Sequence, residues 1–111
     1  MVISQTIKNL AISWVSSGDA ESPEAINNGL CADFASSIAD TLCGVKIVGV
    51  YDTDDLYRIL GGFSKEFELA VSNNLVGHTC VYKDGIYYDS ECPDGVFRFE
   101  LLPINQRALT Y

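Results

Sequence analysis

The stretch Gly77-His78-Thr79-Cys80-Val81-Tyr82-Lys83-Asp84-Gly85-Ile86-Tyr87-Tyr88-Asp89-Ser90 decides how this chain folds. Residues 76–83 and 86–90 are rich in β-branched and aromatic side chains. Asp84-Gly85 between them is a hairpin signal, because a two-residue type I′ turn needs positive φ at both central positions. With those two residues as the loop, Lys83 faces Ile86, Tyr82 faces Tyr87, Val81 faces Tyr88 and Cys80 faces Asp89. His78 then shares a face with Asp89, one diagonal step away. Such neighbours sit about 7–8 Å apart at Cα, within reach of long side chains. A slip of one residue moves Asp89 to the opposite face, so the pairing depends on the turn.

Working outward, the N-terminal side is helical. Ile3, Ile7, Leu10 and Trp14 form one stripe over residues 2–16, and Gly18 is placed to end that helix. Residues 19–29 (DAESPEAINNG) are polar and form a connecting loop with one turn at most. Asn28 suits an N-cap, and Phe34, Ile38 and Leu42 recur every fourth residue, so a second helix runs from there to Gly44. Residues 45–51 (VKIVGVY) predict a strand. Asp52-Thr53-Asp54-Asp55 predicts a turn and a helix start, and Gly61-Gly62 interrupts the pattern after it. Over residues 64–72 the alternation of Phe67, Leu69 and Val71 favours a strand over the helical spacing of Phe63, Phe67 and Val71. Asp94-Gly95 predicts a further turn. Residues 96–101 predict a last strand with Phe97, Phe99 and Leu101 on one face, ended by Pro103. Helices followed by strands make an α+β fold, with N-terminal helices packed on a small antiparallel sheet in a single domain over residues 1–111.

Composition narrows the function classes. The chain has 111 residues, 48% hydrophobic and 20% charged, which is too apolar for a disordered segment. Lys plus Arg number 7 against 15 Asp plus Glu, a net charge of -8. Phosphate-backbone binding needs clustered cations, so neither nucleic acid nor an anionic membrane is the expected partner. No apolar run has the length of a membrane span, and residues 1–17 lack the form of a secretory signal. The expected location is cytoplasmic, with Cys31, Cys43, Cys80 and Cys92 reduced. No Cys-x-x-Cys pair occurs, and Asp52, Asp54 and Asp55 lack the glycine and the twelfth-position ligand of a calcium loop. No metal or cofactor is expected.

The single histidine, His78, paired with Asp89, is the base-and-orienter half of a nucleophilic triad. Cys31 is the matching nucleophile. With Asn28 as cap, it falls in the first turn of the second helix, where the dipole favours thiolate and free N–H groups face a developing oxyanion. Residue types alone also allow a bland account. In that account Cys31 is a small buried side chain, His78 a surface strand residue and Asp89 a turn-flanking carboxylate.

Gly29-Leu30-Cys31-Ala32-Asp33-Phe34-Ala35 resembles the nucleophile helix of the papain-like superfamily, particularly its transglutaminase-like branch. Gly77 to Val81 with Asp84 to Ser90 after it resembles the later block of the same family: His, strand, turn, strand, Asp. The chain order Cys, His, Asp agrees, and the likeness covers roughly residues 28–95. It implies a compact papain-like domain with Cys31 as nucleophile, His78 as general base and acid, and Asp89 as orienting carboxylate. The implied activity is attack on an amide or peptide carbonyl of a protein or peptide substrate, as peptidase, amidase, deamidase or transglutaminase. The rival function is a protein-binding module on an inactive scaffold of the same kind. Where family members often carry Trp two residues after the His, this chain has Cys80. Gln5, Asn27 and Asn28 are the candidates for a side-chain oxyanion donor, and Trp14, Tyr51, Tyr57 and Phe63 are expected as core or cleft wall.

Overall fold

A computed structural model describes residues 2–110. The chain runs α1 (Val2–Ser16), α2 (Pro23–Asn27), α3 (Cys31–Thr41), β1 (Lys46–Val50), α4 (Thr53–Ile59), α5 (Lys65–Ser72), β2 (His78–Lys83), β3 (Ile86–Asp89), β4 (Cys92–Val96), a 3₁₀ turn (Phe99–Leu101) and α6 (Pro103–Ala108). The four strands form one antiparallel sheet in the order β1-β2-β3-β4. The fold is α+β, as the order of patterns predicts.

The Asp84-Gly85 turn closes with φ of 52° and 85° at its two residues. The ladder beyond it pairs Lys83 with Ile86, Tyr82 with Tyr87 and Val81 with Tyr88, which is the register read from the sequence. Because side chains alternate across a strand, β2 splits its residues between two cores. Val81 and Tyr88 pack with Ile3, Ile7, Ile26, Phe34 and Ile38 of the first three helices. Cys80, with Val50 of β1, packs with Leu56, Phe67, Val71 and Phe99 of the later elements. The sheet is therefore covered on both faces. The N-terminal helices do pack on it, and a second helical layer lies behind.

That second layer corrects the sequence reading. Residues 64–72 form a helix, not a strand. Ser64 caps it by accepting the Phe67 N–H at 3.2 Å, and Glu100 holds the Ser64 amide at 2.9 Å and its hydroxyl at 2.7 Å. Phe67, Ala70 and Val71 are buried at helical spacing, while Leu69 is 54% exposed. Alternation alone did not separate the two periods in so short a run. The last strand also sits earlier than expected. Asp94-Gly95 lies inside β4, and Phe97 is 70% exposed while Phe99 and Leu102, three apart, are buried. Pro103 opens α6 instead of closing a strand, consistent with its fixed φ at a first helical position. No helix of the described residues is long and apolar enough to cross a membrane.

Gly95 lets β4 close on the hairpin. It has φ of +82°, and the pairing of β3 with β4 shifts between Tyr87 and Asp89. A Cβ at this position would stand 2.3 Å from Ile86 Cγ2 and 2.7 Å from the Tyr88 ring. Gly95→Ala is expected to cost about 3 kcal/mol by combining overpacking with backbone strain. Gly85→Ala, at an open turn with nothing within 4 Å, is expected to cost about 1 kcal/mol. Urea midpoints at constant m-value measure the difference, and equal costs for the two variants would contradict the proposed crowding at β4.

Candidate active site

The site begins with a break between two helices. Ser22 caps α2, with its Oγ accepting the Ala25 N–H at 3.1 Å and Pro23 at the first helical position. Asn28 is the C-cap of that short helix and not, as the sequence suggested, the N-cap of the next. Gly29 comes next at φ +133°, a backbone conformation that prevents the helix from running on. α3 then starts at Cys31, with Leu30 as its N-cap and no side-chain capping hydrogen bond. The leading N–H groups of a helix have no intrahelical acceptor. Here no cap side chain takes them either, so the thiol sits at an open, electropositive helix start.

β2 packs against α3 and brings His78 to that start. The imidazole is fully buried, at 0% exposure, and Asp89 is 3% exposed. Nε2 of His78 lies 2.9 Å from Oδ2 of Asp89. The other carboxylate oxygen, Oδ1, accepts the backbone N–H groups of Glu91 and Cys92, each at 2.9 Å. Asp89 is thus held as an acceptor on both oxygens, which fixes its orientation. Phe99 covers the ring with centroids 6.2 Å apart. Among the described residues, Nδ1 of His78 is the one buried side-chain nitrogen or oxygen without a hydrogen-bond partner. With Nε2 committed to Asp89, Nδ1 is the nitrogen left for Cys31.

The electrostatics arise from this packing. Burial pushes the Cys31 thiol up, but the His78 imidazole, the Thr79 backbone amide and the Tyr51 hydroxyl outweigh it. Together they bring the pKa from 9.0 to about 7. Burial pushes His78 down, and the Asp89 hydrogen bond and charge together with the Cys31 thiol outweigh that, raising it from 6.5 to about 9. Between those values the two groups rest as thiolate and imidazolium. Cys80 lines the same narrow cleft, as its shared face with His78 predicts. It is only 1% exposed, and burial together with the Asp89 charge holds its thiol well above 9.0.

The three candidate residues come together, and the structure adds partners the sequence did not reveal. The Tyr51 hydroxyl stands 4.0 Å from Cys31 Sγ and hydrogen-bonds Thr79 Oγ1. Asn27 donates from Nδ2 to Glu91 at 2.8 Å and accepts from the Ser90 hydroxyl at 3.2 Å. Arg107 of α6 clamps the same Glu91 through two hydrogen bonds of 2.8 Å. The segment just before α3 is thereby stapled to the turn just after Asp89. No local pattern signals these partners, since each joins residues far apart in sequence. The expected side-chain oxyanion donors are engaged elsewhere. Gln5 bonds Asn9 at 2.9 Å on the exposed face of α1, Asn27 is committed to Glu91, and Asn28 is exposed at the α2 C-cap.

Asp52 is a helix cap, its Oδ1 accepting the Asp55 N–H at 2.8 Å, which is the helix-start role expected for that acidic cluster. Among the described residues no group of three His, Cys, Asp or Glu is placed to hold a metal. No protein-family model, curated protein or solved structure matches this chain.

Iodoacetamide labelling with peptide mass mapping tests the charge state. Cys31 is expected to label with an apparent pKa of about 7, while Cys80 stays unlabelled in the folded protein and Cys92, raised by burial, lags behind. A Cys31 profile centred on the ordinary value of 9.0 would show that the imidazole does not act on the thiol.

Proposed function

We propose that the chain is a small papain-like thiol enzyme, of the transglutaminase-like branch, that acts on an amide or peptide carbonyl through an acyl-Cys31 intermediate. One observation carries this reading: a thiol at an uncapped helix start, pulled toward thiolate by a buried imidazole that Asp89 holds through one nitrogen at 2.9 Å and whose other nitrogen has no partner. The substrate is a protein or peptide. A reducing, cytoplasmic setting suits the four unpaired cysteines.

Each group has a task set by its surroundings. The Cys31 thiolate attacks the carbonyl carbon, and the carbonyl electron pair moves to oxygen beside the open amides of the α3 start. Collapse of that intermediate expels the amine, which takes the proton from His78 Nδ1. The neutral imidazole then removes a proton from water, or from an acceptor amine, as it attacks the thioester. Departure of Cys31 restores the thiolate–imidazolium pair. Asp89 holds Nε2 protonated throughout, so Nδ1 is the nitrogen that gains and loses the proton. The sequence of steps releases a carboxylic acid when water attacks and a new amide when an amine attacks.

The rival is an inactive scaffold of the same type that binds a protein partner. It is favoured by the tightness of the cleft at the thiol, which leaves no room for even a water molecule, against the roughly 300–1,000 Å³ of ordinary ligand sites. Turnover separates the two: an enzyme releases the acyl group from Cys31, and a scaffold does not.

Acetylation by p-nitrophenyl acetate, read by intact mass, ranks the three residues. Cys31→Ala is expected to give no acetyl-enzyme. His78→Ala should slow acetylation at neutral pH by about 10²-fold or more, a typical contribution of general acid–base catalysis. In Asp89→Asn the amide oxygen serves the Glu91 and Cys92 N–H groups, which turns the NH₂ toward Nε2 and drives the ring proton to Nδ1. The serine-protease counterpart of this change costs about 10⁴. Here the loss should be smaller, about 10–10³-fold, because the nucleophile is already ionised. Acetylation of His78→Ala at the wild-type rate would remove the histidine from the mechanism and sink the assignment.

A further inference from the structure

Tyr51 touches the thiol, and the acyl-transfer steps leave it without a task. It directly succeeds β1, and its backbone N–H donates to Asp55 Oδ2 at 3.1 Å, which anchors the base of the side chain. The ring lies in a slot made by two residues without side chains. A Cβ added at Gly49 would come 3.1 Å from ring atom Cε2, and one added at Gly77 would come 3.1 Å from Cδ1. Gly49 is paired with Thr79 across the β1–β2 ladder, so the slot and the threonine are fixed by the same strand register. The phenol oxygen hydrogen-bonds Thr79 Oγ1 and stands 4.0 Å from Cys31 Sγ. When the threonine hydroxyl donates to the phenol oxygen, the single phenol hydrogen is free for the side of the sulfur.

We propose that Tyr51 is the side-chain oxyanion donor of this site, hydrogen-bonding the substrate carbonyl oxygen as Cys31 attacks the carbon. The proposal rests on the acyl-transfer reading of Cys31, His78 and Asp89. Its geometry is direct. An oxyanion donor should lie about 2.7–3.1 Å from the place the oxygen will occupy. A hydroxyl 4.0 Å from the sulfur is within hydrogen-bond reach of an oxygen on the attacked carbon that lies beside the line joining the two. The carboxamides that the sequence offers for this role, those of Gln5, Asn27 and Asn28, are exposed or committed elsewhere. Burial and the neighbouring thiolate also hold the Tyr51 phenol above its ordinary 10.0, so it keeps its proton across the working range.

The balance of the step is simple. A C–S bond forms from the thiolate pair, the carbonyl π pair becomes the third lone pair on oxygen, and the phenol donates a hydrogen bond without giving up its proton. Re-forming the C=O bond expels the leaving group, and the hydrogen bond relaxes back toward sulfur. An SN2 alkylation of the same thiolate creates no oxyanion. Comparing the two reactions on one enzyme therefore isolates the proposed role.

The test measures Cys31 acetylation by p-nitrophenyl acetate and Cys31 alkylation by iodoacetamide, in wild type, Tyr51→Phe and Thr79→Val. Tyr51→Phe is expected to slow acetylation by about 10²-fold more than it slows alkylation, a usual cost of losing one oxyanion donor, with alkylation falling only as far as the lost hydrogen bond raises the Cys31 pKa. Thr79→Val, which loosens the hydroxyl without deleting it, should lower acetylation by a smaller factor in the same sense. It carries the test if the phenylalanine variant does not fold. Parallel loss of both reactions would show that Tyr51 tunes the thiolate only. A rise in both would show that it caps the thiol, and no change in either would show that it is idle. Each of those outcomes overturns the proposal while leaving the triad intact. A wild-type protein that alkylates at Cys31 but never acetylates there refutes the acyl-transfer function itself, and this proposal with it.

Discussion

Asp89 is a nearly buried carboxylate whose two oxygens hold the molecule's site in place. One oxygen faces His78 Nε2 at 2.9 Å, and the other takes two backbone N–H groups of the turn into β4. Removing a carboxylate from water is costly, and the pairing returns that cost only when every lone pair is used. Here the paired imidazole and the two amides use both oxygens. A buried ion pair of this kind is weak as a stabilising device, and an apolar pair of equal volume would serve a core as well. Its physical consequence is orientation. The ring cannot turn, the proton on Nε2 is fixed, and Nδ1 is left for the thiol.

The rest of the fold serves that constraint. The sheet needs both faces covered because β2 carries apolar side chains on each, Val81 on one and Cys80 on the other. Helices α1 to α3 cover the first face and bring the α3 start to the end of β2 that carries His78. Helices α4 to α6 and the 3₁₀ turn cover the second, and Phe99 from that layer shields the imidazole. The Asn27–Glu91–Arg107 staple ties both layers to the turn beside Asp89, through hydrogen bonds of 2.8 Å. The candidate site therefore involves every layer, although Cys31, His78 and Asp89 come from one helix and two adjacent strands.

The cleft is small, and Tyr51, whose hydroxyl stands 4.0 Å from the thiol, remains 47% exposed. Cys80 lines the same cleft but is 1% exposed, with its thiol held well above 9.0 by burial. Two cysteines therefore share one cleft with opposite chemistry. Cys31 is pulled toward thiolate by an imidazolium and a helix start, and Cys80 is kept neutral by its apolar surroundings.

Some of this was legible without coordinates, and the reason is locality. The Asp84-Gly85 turn restricts its own φ values, so the register of β2 and β3 comes from the two residues alone, and with it the shared face of His78 and Asp89. Helix α1 and the body of α3 are set by four-residue spacing of Ile3, Ile7, Phe34 and Ile38, all buried as that spacing requires. What the sequence left undecided depended on distant contacts. Residues 64–72 became a helix because Glu100 fastens its cap and Phe67 finds Phe99, and β4 moved because Gly95 must pass against Ile86 and Tyr88. The true start of α3 was set by Gly29, and the approach of Tyr51 to Cys31 by the pairing of β1 with β2. Local chemistry determined which residues were candidates for the site; only the tertiary fold decided which ring nitrogen Asp89 holds and which hydroxyl stands beside the thiol, because those distances join residues that no local rule connects.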